Sequence, residues 1–389
     1  MLAPICLMAL VVTQLALPQS DPVPPSRLSK NLWLLRSRVQ GVAAYSVFSP
    51  SSAETVISSS LAKKLGLDAN ARTARVDLTL QSLHLGLTEA TISDLPAFSQ
   101  FEPKENVHVL LGADVLRKSA FLLDTEQPSL QAVDPIGASS RFPSARRIQL
   151  EHEDGLFYLS LELTGRKIRA LFGGTQALPM VRQELAALDQ ARPITKNAHV
   201  AGSPAREAEP DVYLASGIKL DTEALSWPLF RVVQELPDDG RQQPLQAITG
   251  LALFRYPRML INFAGREVLV PELTEDGRLS RTASALFHLP LVVERQGMRF
   301  APTAGLHDPF STIRQFRGYR ILRLWHMAVP DVLRLMRNRD SIDGMADLIR
   351  RSVDGTVVLI QTPYEKVWAG FRYGKLLGPV TPGFGLGPH

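Results

Sequence analysis

The chain has 389 residues, of which 45% are hydrophobic and 21% charged, a globular composition that excludes a mainly disordered polymer and is enough for two or three domains. One cysteine, Cys6, excludes a disulfide framework, a thiolate metal site and a cysteine nucleophile in the body of the protein. The net charge of +5 comes from Lys and Arg spread along the chain, which is a mixed solvated surface and no nucleic-acid face, and the eight histidines have no zinc-ligand spacing.

From Leu2 to Leu17 the sequence is almost wholly apolar and is broken by Pro18-Gln19-Ser20-Asp21. That length is short for a membrane span and suits a signal peptide over residues 1–20, so the chain is expected to be exported, periplasmic or extracellular. No Lys or Arg precedes the run, and an uncleaved segment would instead anchor the chain and be its membrane contact. After a proline-rich lead-in, Tyr45-Ser46-Val47-Phe48 reads as a strand ending at the turn Ser49-Pro50-Ser51-Ser52. Thr55 to Ser58 leads into a short helix from Ser60 to Leu67, with Gly66 as its stop. Ala74 to Leu80 alternates as a strand does, Val107 to Leu116 is an apolar run interrupted at Gly112, and Ala120-Phe121-Leu122-Leu123-Asp124 closes the unit. Residues 134–147, rich in Pro, Ser and Gly, read as a linker.

The same order then recurs. Leu156 to Leu163 and Lys167 to Phe172 form a hairpin around Thr164-Gly165-Arg166, and Gly173-Gly174-Thr175 follows as a turn. A helix is expected through Val181 to Leu188, Ala247 to Phe254 parallels the Gly112 segment, and Met259 to Phe263 parallels Phe121 to Asp124. Gly173 stands 124 residues after Ser49 and Gly250 stands 138 after Gly112, which argues for one β-rich unit duplicated in tandem. Pro271 to Arg281 reads as a second polar linker. Beyond it come a strand at Tyr319 to Leu324, a helix at Met345 to Arg351, and a strand at Thr356 to Ile360 with Lys366 to Phe371 as its partner. The basic run Arg334 to Arg339 reads as a solvated helix face or loop, and residues 378–389 as a disordered tail.

Leu61-Ala62-Lys63-Lys64-Leu65-Gly66-Leu67 and Leu111-Gly112-Ala113-Asp114-Val115-Leu116 resemble framework motifs of the pepsin/retropepsin-type aspartic peptidases. Thr249-Gly250-Leu251-Ala252-Leu253 keeps the second frame without its Asp, and Asn262 stands where that lobe would close on Asp. The resemblance implies a mainly β protein: two tandem retropepsin-like β-barrel lobes in a pepsin-like bilobal arrangement, lobe 1 over residues 31–133 and lobe 2 over 148–272. Family chemistry needs one aspartate from each lobe, sharing a proton, to act as general acid and base on water. Aligned on the preceding strands, Ser49-Pro50-Ser51 and Gly173-Gly174-Thr175 occupy the two Asp-Thr-Gly positions. Neither set supplies a carboxylate, so no catalytic residue, cofactor or metal is expected at these degenerate motifs.

Asp124-Thr125-Glu126 and Asp221-Thr222-Glu223 look like the motif but lack its glycine, and Asp124 and Asp114 match framework positions. Glu54 is expected to face solvent or cap its turn. A serine mechanism from Ser49, Ser51 or Ser52 would need a base, and no histidine is near in sequence. Residues 285–377 resemble an α+β PDZ domain: Gly318 to Leu324 is similar to its Gly-Asp-x-Ile-Leu strand, with Tyr319 in place of Asp, and Ser341 to Arg351 to the helix of its groove. Thr303-Ala304-Gly305-Leu306 is the candidate carboxylate-binding loop. The expected function is binding of polypeptide, or of a protein C-terminus, in the inter-lobe cleft or the PDZ-like groove without cleavage. An active endopeptidase with a rearranged site built on Asp114 or Asp124, and a non-catalytic envelope scaffold, are the alternatives.

Overall fold

The computed structural model describes residues 26–29, 32–99, 101, 106–124, 129–163, 165–174, 180–182, 191–195, 212–215, 219–220, 223–224, 229–233, 236, 245–250, 258–287, 289–295, 297–301, 313, 315–338, 342–372 and 375–379. The first lobe runs β1 (Ser26–Ser29), β2 (Leu32–Val39), β3 (Val42–Phe48), β4 (Val56–Ile57), α1 (Ser59–Lys64), β5 (Thr73–Leu80), β6 (Leu83–Ile92), α2 (Pro96–Ser99), β7 (Val107–Leu111), α3 (Ala113–Leu116), β8 (Ala120–Asp124) and β9 (Ser129–Val133). In β5, Val76, Leu78 and Leu80 are buried and alternate with less buried residues, the period-2 pattern of a strand with one face on a core. Ser58 caps α1 by accepting the Leu61 N–H, and Gly66, at φ +71°, ends it.

The second lobe has β10 (Arg146–Gln149), β11 (Glu151–Glu153), β12 (Leu156–Leu163), β13 (Arg166–Gly174), β14 (Met180–Arg182), β15 (Ala191–Thr195), β16 (Val212–Ala215), β17 (Lys219–Leu220), β18 (Glu223–Ala224), β19 (Leu229–Val233), β20 (Ala247–Gly250), β21 (Arg258–Asn262) and β22 (Glu267–Val270). Its central pairings repeat those of the first. β3 runs parallel to β7 as β13 does to β20, β4 is antiparallel to β7 as β14 is to β20, and β4 is parallel to β6 as β14 is to β19. The duplication is therefore topological as well as sequential. Mixed pairing of this kind needs a crossover in each lobe, which hairpin connections alone would not produce.

A five-stranded sheet, ordered β10-β22-β21-β8-β9, draws strands from both lobes. In it β8 pairs antiparallel with β21, and Leu122 faces Leu260, which stands 138 residues later, the same spacing that separates Gly112 from Gly250. Equivalent residues thus meet at the centre of the pairing, as two related strands must when an approximate twofold axis passes between them. One hydrophobic core runs through both lobes, from Trp33 and Phe48 to Phe157 and Phe263.

The third unit has its own core and comprises α4 (Glu275–Phe287), β23 (Leu291–Glu294), β24 (Gly297–Phe300), β25 (Arg320–Leu324), β26 (Met327–Ala328), α5 (Val329–Arg337), α6 (Ile342–Asp354), β27 (Thr356–Gln361), β28 (Lys366–Arg372) and β29 (Lys375–Pro379). Its sheet is ordered β23-β24-β25-β27-β28-β29, and α6 also lies against β15 and β16. The expected class, mainly β with two lobes in a bilobal arrangement and a smaller α+β unit, is the one observed.

Several expected segments differ. Val181, placed in a helix from its spacing to Leu185 and Leu188, lies in strand β14, because Met180 and Val181 are bracketed by β19 and β20; residues 183–190 lie outside the described residues. The 134–147 linker ends in β10, whose Arg146 and Arg147 pair with Val270 and Leu269. The polar stretch Pro271 to Arg281 becomes α4 from Glu275, since Leu279, Ala283, Leu286 and Phe287 fall on one helical face and enter the third core. That core therefore begins before residue 285. β29 carries Gly378 and Pro379 out of the tail, and residues 380–389, like 1–25, lie outside the described residues.

Candidate functional site at the two lobe turns

Strand β3 delivers Phe48 beside Leu111 of β7, and the Ser49 N–H then donates to the Leu111 carbonyl at 3.2 Å. The Ser52 N–H closes the turn on the Ser49 carbonyl at 3.0 Å, with Pro50 buried inside it. In the second lobe Phe172 pairs with Thr249, the register slips, and Gly174 pairs with Gly250, leaving buried Gly173 at the irregularity. Thr175 lies outside the described residues.

Gly173 and Gly174, expected in a turn, lie at the end of strand β13, and the residues preceding Ser49 and Gly173 converge on one side chain. The ring of Phe263 lies 6.0 Å from that of Phe48 and 5.9 Å from that of Phe172, the residues that immediately precede Ser49 and Gly173. Phe121 and Phe157 complete the cluster at 6.0 and 4.7 Å from Phe263. These tilted and edge-on contacts suit the ring quadrupoles and floor the seam between lobes with apolar surface. Ser49 offers a hydroxyl beside this cluster and Gly173 only a hydrogen.

Around the first turn the frame is closely held. Thr55, buried, donates through Oγ1 to Asp114 Oδ1 at 2.7 Å and accepts the Gly112 N–H at 3.1 Å. The Val115 N–H adds a second bond to Asp114 Oδ1 at 2.8 Å. The Ala113 N–H reaches the Ser52 carbonyl at 2.7 Å, and the Asp114 N–H the Ala53 carbonyl at 3.2 Å. So tight is this approach that a Cβ on Gly112 would stand 2.3 Å from the Glu54 backbone carbon and oxygen. Glycine is required here for proximity.

The substitute acids are engaged elsewhere. Asp114 holds the frame just described, and Asp124 forms an inter-lobe ion pair with Arg258 at 3.7 Å. Exposed Glu54 accepts the Thr91 hydroxyl at 2.7 Å. Thr125, Glu126, Asp221 and Thr222 lie outside the described residues. No group of three or more His, Cys, Asp or Glu among the described residues has the geometry to hold a metal ion.

Two histidines carry features the sequence does not reveal. His152, in the middle of β11, makes a tilted ring contact with Phe157 at 4.8 Å beside the inter-lobe cluster, and its pKa is lowered by burial and then by Arg266 and Arg117. The turn after it brings Gly155 against Ala53 of the first lobe. On β7, His108 Nδ1 lies 2.9 Å from Ser58 Oγ and 3.2 Å from Ser60 Oγ, so an imidazole does face serines, though not those of the turn. Burial, then Lys64, lowers the pKa of His108 against an opposing pull from Asp94. No local signal could have joined residues 50 positions apart; the β4–β7 pairing does it.

In the third unit, Tyr319 to Leu324 forms β25 as expected and Met345 to Arg351 lies within α6, while 303–306 lie outside the described residues. The basic run is tied to acids: Arg337 reaches Glu275 and Asp276 of α4 at 3.5 Å each, and Arg334 pairs with Asp331.

No family model matches the sequence, and no curated protein matches it. Among solved structures the chain is similar to an aspartic proteinase from Irpex lacteus, at 10% identity and TM-score 0.39 over 64% of this chain and 97% of that one. It is also similar to basic 7S globulin from soybean (9% identity, TM-score 0.34, 64% and 94% covered) and to conglutin gamma, a basic 7S globulin from lupine seeds (10% identity, TM-score 0.38, 64% and 94% covered). No helix among the described residues is long and apolar enough to cross a membrane.

Proposed function

We propose that this protein binds extended polypeptide between its two lobes without hydrolysing it by the paired-aspartate route. The observation that carries the reading is the contrast at the two equivalent turns. The hydrogen-bonded frame of Thr55, Gly112 and Asp114 is kept, while Ser49 and Gly173 stand where an acid–base pair would be required. An unassisted serine hydroxyl is not a base near neutral pH and glycine has no ionisable side chain, so a water beside them gains no general base from them. The third unit supplies a second capture surface, a PDZ-like groove for an extended chain or a free C-terminus, supported by the resemblance of Gly318 to Leu324 and of the α6 sequence to those elements. The apolar N-terminal segment supports an exported protein that meets unfolded or envelope polypeptides.

The test uses the purified full chain and a fluorescently labelled, denatured protein substrate. Saturable binding by anisotropy with no fragments from acid to neutral pH is expected. Pepstatin-sensitive fragmentation would overturn the reading.

A further inference from the structure

A hydroxyl–imidazole cluster lies on the first lobe apart from both turns. Ser60, exposed on α1, sits 3.0 Å from Ser58 Oγ and 3.2 Å from His108 Nδ1, and Ser58 Oγ sits 2.9 Å from the same nitrogen. Ser58 is buried and already accepts the Leu61 N–H, so its own proton is free to point at the imidazole. In the tautomer with Nδ1 unprotonated, that nitrogen accepts from the hydroxyls beside it. Ser60 then donates to Ser58 Oγ or directly to Nδ1, which gives its proton a short path to a base. Exposed Lys64, one turn along α1 from Ser60, and exposed Asp94, which accepts the Ser59 N–H at 3.0 Å, are the charges that face the cluster.

We propose that Ser60 is a nucleophile, with His108 as its general base and Ser58 as a positioning residue, and that it takes the acyl group of small activated esters. The Ser60 Oγ attacks the ester carbonyl as its proton passes to His108 Nδ1. The acyl carbon–oxygen bond of the leaving group breaks, and the imidazolium returns the proton to the departing alkoxide. A water, deprotonated by the same imidazole, then attacks the acyl-serine and frees the acid and the Ser60 hydroxyl. Lys64 offers positive charge to the developing oxyanion. Burial, then Lys64, lowers the basicity of His108, which favours the neutral imidazole. This activity is independent of polypeptide binding between the lobes.

The full chain is incubated with p-nitrophenyl acetate, following p-nitrophenol release and locating the acetyl group by peptide mass spectrometry. Acetylation at Ser60 is expected, absent in Ser60→Ala and slowed about 100-fold in His108→Gln with an unchanged circular dichroism spectrum. The rate should rise with pH to a plateau whose midpoint lies below the ordinary imidazole value of 6.5. Acetylation at other residues, a folded His108→Gln at the wild-type rate, or a wild-type rate climbing with hydroxide without a plateau would each overturn the proposal. The last readout needs no variant, so it decides the matter even where His108→Gln fails to fold.

Discussion

Phe263 is the side chain on which the inter-lobe seam most visibly depends, and its truncation tests the convergence of the two turns. It is 1% exposed and touches the rings of Phe48, Phe121, Phe157 and Phe172, at 4.7 to 6.0 Å. Phe48 and Phe121 come from the first lobe and Phe157 and Phe172 from the second, so Phe263→Ala opens a cavity that neither lobe can close alone. Truncating a buried Phe costs about 3–5 kcal/mol, part transfer free energy and part cavity. Four ring contacts, each worth about 0.5–1.5 kcal/mol beyond area though not additive, place this case in the upper half of that range. A loss of about 4 kcal/mol is a large share of the roughly 5–15 kcal/mol that holds a folded protein. Urea unfolding followed by far-ultraviolet circular dichroism should show the transition of the two lobes at a lower midpoint and less cooperative, while Phe263→Leu, which refills most of the volume, should cost about half as much. A Phe263→Ala midpoint equivalent to less than about 1 kcal/mol of destabilisation would refute the shared floor.

Gly112→Ala should destabilise by about 3 kcal/mol or more, because the atoms it meets are backbone and cannot rotate away. Gly41→Ala, at φ +82° with open space around it, should cost only the left-handed strain of about 1–2 kcal/mol, and equal losses in the two variants would contradict the steric argument. His152 binds its proton less readily in the folded protein than in the unfolded chain. The unfolded state therefore takes up more protons as pH falls, and the stability contributed above the ordinary value of 6.5 is lost as pH drops through the lowered folded value. His152→Gln should flatten the stability–pH curve over that window, and an unchanged slope in chemical denaturation would remove His152 as its source.

Much of the lobe frame was legible because its signals are local. Gly66 ends a helix whose apolar spacing is visible, Val76, Leu78 and Leu80 alternate, and Gly112 interrupts an apolar run. The site was legible as a pair of positions, Ser49 and Gly173, but not as a place. Nothing in the sequence says that their preceding phenylalanines share Phe263, or that Thr55 reaches Asp114 across 59 residues. The misread segments fail for the same reason. Val181 has helical spacing to its neighbours, yet the strands on either side of Met180 and Val181 take their backbone groups; the polar surface of α4 hides the single face that enters the third core.

By itself the sequence determined the frame of the first lobe and the duplication, since the alternation of side chains along a strand, the turn chemistry of glycine and a fixed offset are properties of the chain alone. It also determined that both turn positions lack a carboxylate. Only the tertiary structure decided which distant residues meet: Leu122 with Leu260 at the centre of the shared sheet, four phenylalanines around a fifth, and His108 with Ser58 and Ser60. The reason is physical. Local geometry fixes which way each side chain points, and the pairing of strands far apart in the chain fixes what it points at.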